Sequence, residues 1–197
     1  MLRVFRPKDA LLEGVKILDP VLFPSGFRFR FGEEGRGSGG KFAWGEFVRE
    51  DRRLELHFRH SLGLVRYHVA DQSASHESYM RELGVAEQCR YPGFSEDTTV
   101  AFQDLAHDLG LADDFLSGSA TVLRTAAARE VSDTAKKNEQ VTAAYVGDVR
   151  KRQELRDRFR EGNYGQVVAL ADTLKYANKI TESERRMVEI ARKRTFS

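Results

Sequence analysis

What this chain lacks narrows its reading first. It has one cysteine, Cys89, so no disulfide can close within it, and a reducing, cytoplasmic setting is expected. No apolar run approaches the roughly 20 residues that a membrane helix needs, so no membrane partner is expected. The opening residues MLRVFRPKD have no long apolar core, and no secretory leader is expected. Basic residues are missing between Ser95 and Ser119, where Glu96, Asp97, Asp104, Asp108, Asp113 and Asp114 stand alone. The formal net charge is only +2, too little to make the whole chain an electrostatic magnet for nucleic acid. Catalytic and nucleotide motifs are missing too. The glycine-rich EEGRGSGG stretch (Glu33–Gly40) lacks the GxxxxGK[ST] order and leads into strand residues, so a mobile hairpin loop is expected there. No C-x-x-C surrounds Cys89, and FLSGSA departs from G-x-S-x-G because residue 115 is Phe.

What is present is a strong period of two. Leu54, Leu56 and Phe58 alternate with Glu55, His57 and Arg59, and Val65, Tyr67 and Val69 alternate with Arg66 and His68. Such alternation marks strands that bury one face. An even turn at Ser61–Leu62 would set Phe58 against Val65, Leu56 against Tyr67 and Leu54 against Val69, apolar against apolar. Glu55, His57, Arg59, Arg66 and His68 then share the opposite face. FRFRF (Phe27–Phe31) reads as a first strand, and Phe42–Val48 as a second with apolar residues on both faces, which suggests cover on both sides. If Phe42 and Trp44 join the polar face, that face becomes aromatic and basic, with Arg28 and Arg30 as neighbours.

Helices surround this meander. Asp9 is the expected cap of a helix through Leu22 built on Leu11, Leu12, Val15, Leu18 and Leu22. Ser73 and Ser75 are expected to cap a short helix, HESYMREL, ended by Gly84. Pro92 and Gly93 mark a connector, and Ser95 should cap a helix through Leu109. A further helix is expected over about Ala120–Val131, with continuation into a long one ending near Arg160 as the alternative. After the GNYG turn come a helix over Gln166–Tyr176 and a last one, opened by the Thr181/Glu184 capping-box pattern. The segment FREGNYGQVVALADTL resembles the turn and second helix of a tetratricopeptide-type hairpin. That resemblance implies an antiparallel helical hairpin and nothing about function, since no second copy follows.

The expected fold is therefore α+β: an N-terminal helix on a four-stranded antiparallel meander, followed by a mostly helical half packed on it, dividing into residues 1–94 and 95–197 or forming one continuous domain. Two constellations stand out as binding surfaces. One is the sheet's polar face with Trp44. The other is Asp97, Asp104 and Asp108, whose spacing puts them on one helical stripe. The His107–Asp108 pair is similar to the HD dyad of metal phosphohydrolases, but no further ligand motif of that family is assigned. No metal ligand set, cofactor or catalytic group is expected. The basic tail (Asp148–Ser197, thirteen Lys or Arg against eight acids) interleaves its charges, which favours a solvated or protein-binding surface. The leading expectation is a non-catalytic macromolecule-binding protein of bacterial type with a protein partner, an immunity or toxin-neutralising protein being one version. A nucleic-acid module built on Trp44 and Phe42 is the less favoured alternative. An enzyme acting on an anionic substrate through Glu55, His57 and His68 is the other.

Overall fold

Alternation and capping translate into structure with few changes in the computed structural model, which describes residues 6–195. The expectation attached to the first five residues lies outside that range. The chain is α+β. It divides into two compact units, Met1–Ser132 and Asp133–Ser197.

The first unit opens with α1 (Pro7–Leu22), whose cap position lies three residues earlier than expected. Pro7 takes the first helical position, where a missing N–H costs nothing, so Asp9 sits in the first turn and Arg6 at the cap position. Leu11, Val15, Leu18 and Leu22 are buried in one stripe. The sheet that follows has five antiparallel strands, not four, in sequential order: β1 (Arg28–Gly37), β2 (Gly40–Arg49), β3 (Arg52–Phe58), β4 (Leu62–Val69) and β5 (Gln72–Ser75). The fifth strand is short and polar (QSAS), and its serines look like caps in sequence. Ser75 does both jobs, pairing with Arg66 and accepting from the Ser78 N–H to cap α2 (His76–Glu82).

The glycine-rich stretch is also mostly strand. Gly37 pairs with Gly40, so the expected mobile loop shrinks to the turn between them. The β3–β4 register differs by two residues from the expected one: Leu54 faces Tyr67 and Leu56 faces Val65, and an irregularity brings Phe58 opposite Leu62. A shift of two preserves which face each side chain occupies; a shift of one would have reversed it.

Burial is one-sided. Ala43, Phe47, Leu54, Leu56, Phe58, Val65, Tyr67 and Val69 lie in the core with the α1 stripe. Phe42, Trp44 and Val48 on the other face of β2 are half-buried and Glu46 between them is buried, so that face is only partly covered. The helix α3 (Thr98–Leu109) is capped by Asp97, whose side chain accepts from the Val100 N–H, rather than by Ser95. Its Phe102, Leu105 and Leu109 join the same core. The contact between α1 and α3 is made through Gly14, where a Cβ would fall 2.2 Å from the Phe102 ring. The expected division at 94/95 therefore falls inside this unit. A short α4 (Asp113–Leu116) follows, and Arg49 and Arg52 donate to the carbonyls of residues 114–118 around its end.

One helix, α5 (Thr121–Arg160), begins in the first unit and ends in the second. In the second unit, α6 (Tyr164–Asp172) starts and stops earlier than expected, and α7 is Glu182–Thr195. Leu155, Val167, Val188 and Ala191 form its small core. The capping box is formed: the Thr181 N–H donates to Glu184 Oε2 at 2.8 Å, and the Glu184 N–H donates to Thr181 Oγ1 at 3.3 Å. Among the described residues no helix is long and apolar enough to cross a membrane.

Candidate functional site

The polar face of the sheet carries a continuous chain of contacts across β1 to β4. Arg30 pairs with Glu46, a buried carboxylate that also pairs with Arg53 at 3.3 Å. Arg53 Nη2 lies 3.4 Å from His68 Nδ1. His68 Nε2 is 2.8 Å from Glu55 Oε2, and His57 Nε2 is 2.5 Å from Glu55 Oε1. His57 lies parallel to the indole of Trp44, with ring centroids 5.9 Å apart. Trp44 is seated because Gly32 leaves room opposite; a Cβ there would meet the indole at 2.5 Å. Arg66 pairs with Glu130 of α5 at 3.1 Å, and the other oxygen of Glu130 accepts from the Ser75 N–H on the edge strand.

Protonation follows from these partners. Burial works against the Glu55 charge, but the hydrogen bonds and charges of His57 and His68 outweigh it and hold the carboxyl below its ordinary value. His68 is pushed down by burial and then by Arg53, against the pull of Glu55. A neutral His68 donating from Nε2 to Glu55, with Nδ1 turned to Arg53, satisfies both directions. Each oxygen of Glu55 is thus engaged by one imidazole, and each keeps a further lone pair.

At one end of this face lies an open cavity of about 630 Å³, lined by Phe42, Trp44, His57, Arg59, Leu64 and Phe94 among others. Phe94 is 61% exposed and Leu64 44%. Arg59 is exposed and lies across the β1–β2 turn against Gly39. Sequence pattern brought Glu55, His57, Arg66, His68 and Trp44 to one face. It did not find Leu64 or Phe94, which belong to a strand start and a connector with no periodic signal.

The acidic stripe is not one surface. Asp97 is exposed and caps α3, and Asp104 is half-buried. Asp108 is fully buried and accepts four hydrogen bonds. Oδ1 receives the Arg90 N–H at 2.8 Å and His107 Nδ1 at 3.0 Å; Oδ2 receives the Tyr91 N–H at 2.9 Å and His76 Nε2 at 3.1 Å. The other nitrogen of His76 meets the Tyr67 hydroxyl at 3.1 Å. Burial pushes His76 down. Burial would raise Asp108, but His107 and the two backbone N–H groups hold it below its ordinary value. The Cys89 thiol is nearby, raised to about 11 by burial and by the Asp108 charge. His76, Cys89 and Asp108 offer ligand atoms within 4.8 Å of one another.

No protein-family model matches this chain, and neither a curated protein nor a solved structure matches it.

Proposed function

We propose that this chain is a non-catalytic binding protein whose partner is another protein, seated on the aromatic cavity and the adjoining polar face of the sheet. The observation that carries this reading is a cluster of exposed Phe94, Leu64 and Arg59 with half-buried Trp44 around one concavity. Aromatic and arginine side chains at a concave apolar centre, ringed by polar groups, have the composition of interface hot spots. An apolar side chain of the partner fills the cavity, and a carboxylate beside it meets Arg59. Arg30, Arg53 and Arg66 are already paired with Glu46 and Glu130, which weakens the case for a nucleic-acid platform. A toxin-neutralising protein of bacterial type is one concrete form of this function.

The test is capture of a partner by the full chain from lysate of its source, identified by mass spectrometry. Trp44→Ala and Arg59→Glu should each cut retention of that partner at least tenfold, while Asp104→Lys leaves it unchanged. Equal retention by Trp44→Ala and wild type would refute the assignment of the surface. Oligonucleotide binding that falls steeply with salt, and is lost in Trp44→Ala, would replace it with the nucleic-acid reading.

A further inference from the structure

Asp108 is fully buried, and among the described residues no lysine or arginine pairs with it; its charge is met by the Arg90 and Tyr91 N–H groups, the latter on Oδ2, and by the rings of His76 and His107. The imidazole of His76 and the thiol of Cys89 complete a group of one oxygen, one nitrogen and one sulfur donor, all within 4.8 Å of one another. From this geometry we infer that His76 Nε2, Cys89 Sγ and Asp108 Oδ2 form a three-ligand site for a zinc ion, with its fourth position turned to the adjoining cavity.

Five features support the assignment. The His76 Nε2–Asp108 Oδ2 separation is 3.1 Å, close to the roughly 3.3 Å edge of a tetrahedron whose ligands stand about 2.0 Å from the ion. The remaining atoms of both ligands are already held: Tyr67 OH orients Nδ1 of His76, while the Arg90 N–H and His107 fix Oδ1 of Asp108. Outer partners of this kind set ring orientation and tautomer in zinc sites. Mixed sulfur, nitrogen and oxygen donors suit zinc better than magnesium or calcium, which prefer oxygen alone. His76 and Cys89 both line a cavity of about 500 Å³, which leaves room for a water or a ligand on the ion. Charge balances as well. Zinc displaces the thiol proton to solvent, and the imidazole proton moves from Nε2 to Nδ1, facing Tyr67. One thiolate and one carboxylate then neutralise the ion.

The site comes from three elements: the first turn of α2, the connector after it and α3. None of the three ligand residues lines the cavity proposed for the partner, although Gly63 and Leu64 border both cavities.

The experiment loads the full chain with Zn(II), and in parallel with Co(II), removes free metal by gel filtration and measures bound metal and the cobalt spectrum. One equivalent of zinc per chain is expected, with a thiolate-to-cobalt charge-transfer band. Cys89→Ser should abolish that band and weaken zinc binding at least tenfold, with the circular dichroism of the wild type retained. Tyr67→Phe keeps all three ligands and should weaken binding by about tenfold through the lost outer contact. Substoichiometric zinc on the wild type, or a cobalt complex without the sulfur band, would overturn the inference. So would zinc retained by Cys89→Ser but lost on replacing His57 and His68 by Ala, which would put the ion on the sheet face instead.

Discussion

Glu184 gives the sharpest test of how the second unit is held together. Its carboxylate is 1% exposed and pairs with Arg152 at 2.8 Å and with Arg156, while closing the capping box on Thr181. Burial would raise its pKa, but Arg152 and the Thr181 groups outweigh burial and bring it to about 2. Against an ordinary value near 4.5 that is worth about 3 kcal/mol at full strength, at roughly 1.4 kcal/mol per unit. The two guanidinium groups keep some solvent contact (16% and 30% exposed), and screening reduces the figure to about 2 kcal/mol. Because the folded pKa is depressed, this stability is fully present above the ordinary value near 4.5 and is lost as pH falls towards 2. Glu184→Gln keeps an acceptor for the Thr181 N–H but removes both ion pairs. A unit whose buried core is Leu155, Val167, Val188 and Ala191 has only a few kcal/mol in total to lose. Hydrogen exchange on the full chain is the assay, with the β3 and β4 amides as internal reference. Protection of the α6 and α7 amides should fall about thirtyfold in Glu184→Gln at neutral pH, the equivalent of about 2 kcal/mol. The sheet should be unaffected. Unchanged α7 protection, or an equal loss in both units, would refute the reasoning.

Two further outcomes follow from the packing and the polar face. Gly14→Ala gains about 1 kcal/mol of helix propensity but drives a methyl into Phe102, whose ring is buried and stacked on Phe58 at 6.3 Å. Overpacking of about 1–3 kcal/mol should win and lower the Tm of the first unit. Gly147→Ala in α5 meets nothing within 4 Å and should raise stability by about 0.5–1 kcal/mol; the same sign for both in thermal unfolding would contradict this account. On the polar face, His68 should titrate by NMR below its ordinary value of 6.5. Glu55→Gln should move it lower still, because the carboxylate is the partner that favours the imidazolium; an upward move would mean the Glu55–His68 contact is misassigned.

The distinction between local and tertiary information is visible in particular residues. The alternation of Leu54, Leu56 and Phe58 with Glu55 and His57 was enough to sort side chains between two faces, because strand geometry has a period of two wherever the strand pairs. The Thr181–Glu184 box and the α1 stripe were legible for the same reason: their partners lie within one or two turns of the same helix. Which residues face each other across β3 and β4 was not legible. A slip of two leaves the apolar pairing equally good, and only an irregularity at Phe58 and the turn beyond it chose between registers. Nor could spacing reveal that Asp108 turns inward. On α3 alone it sits in line with Asp97 and Asp104; the path of the connector brings the Arg90 and Tyr91 N–H groups and His76 onto it, and four hydrogen bonds offset the cost of burying its charge. The sequence by itself determined the class of fold and the face each strand residue occupies, since both are properties of short stretches. The tertiary structure alone decided which distant groups meet, in the aromatic cavity at the end of the sheet and in the His76–Cys89–Asp108 cluster, since those meetings depend on how loops route the chain.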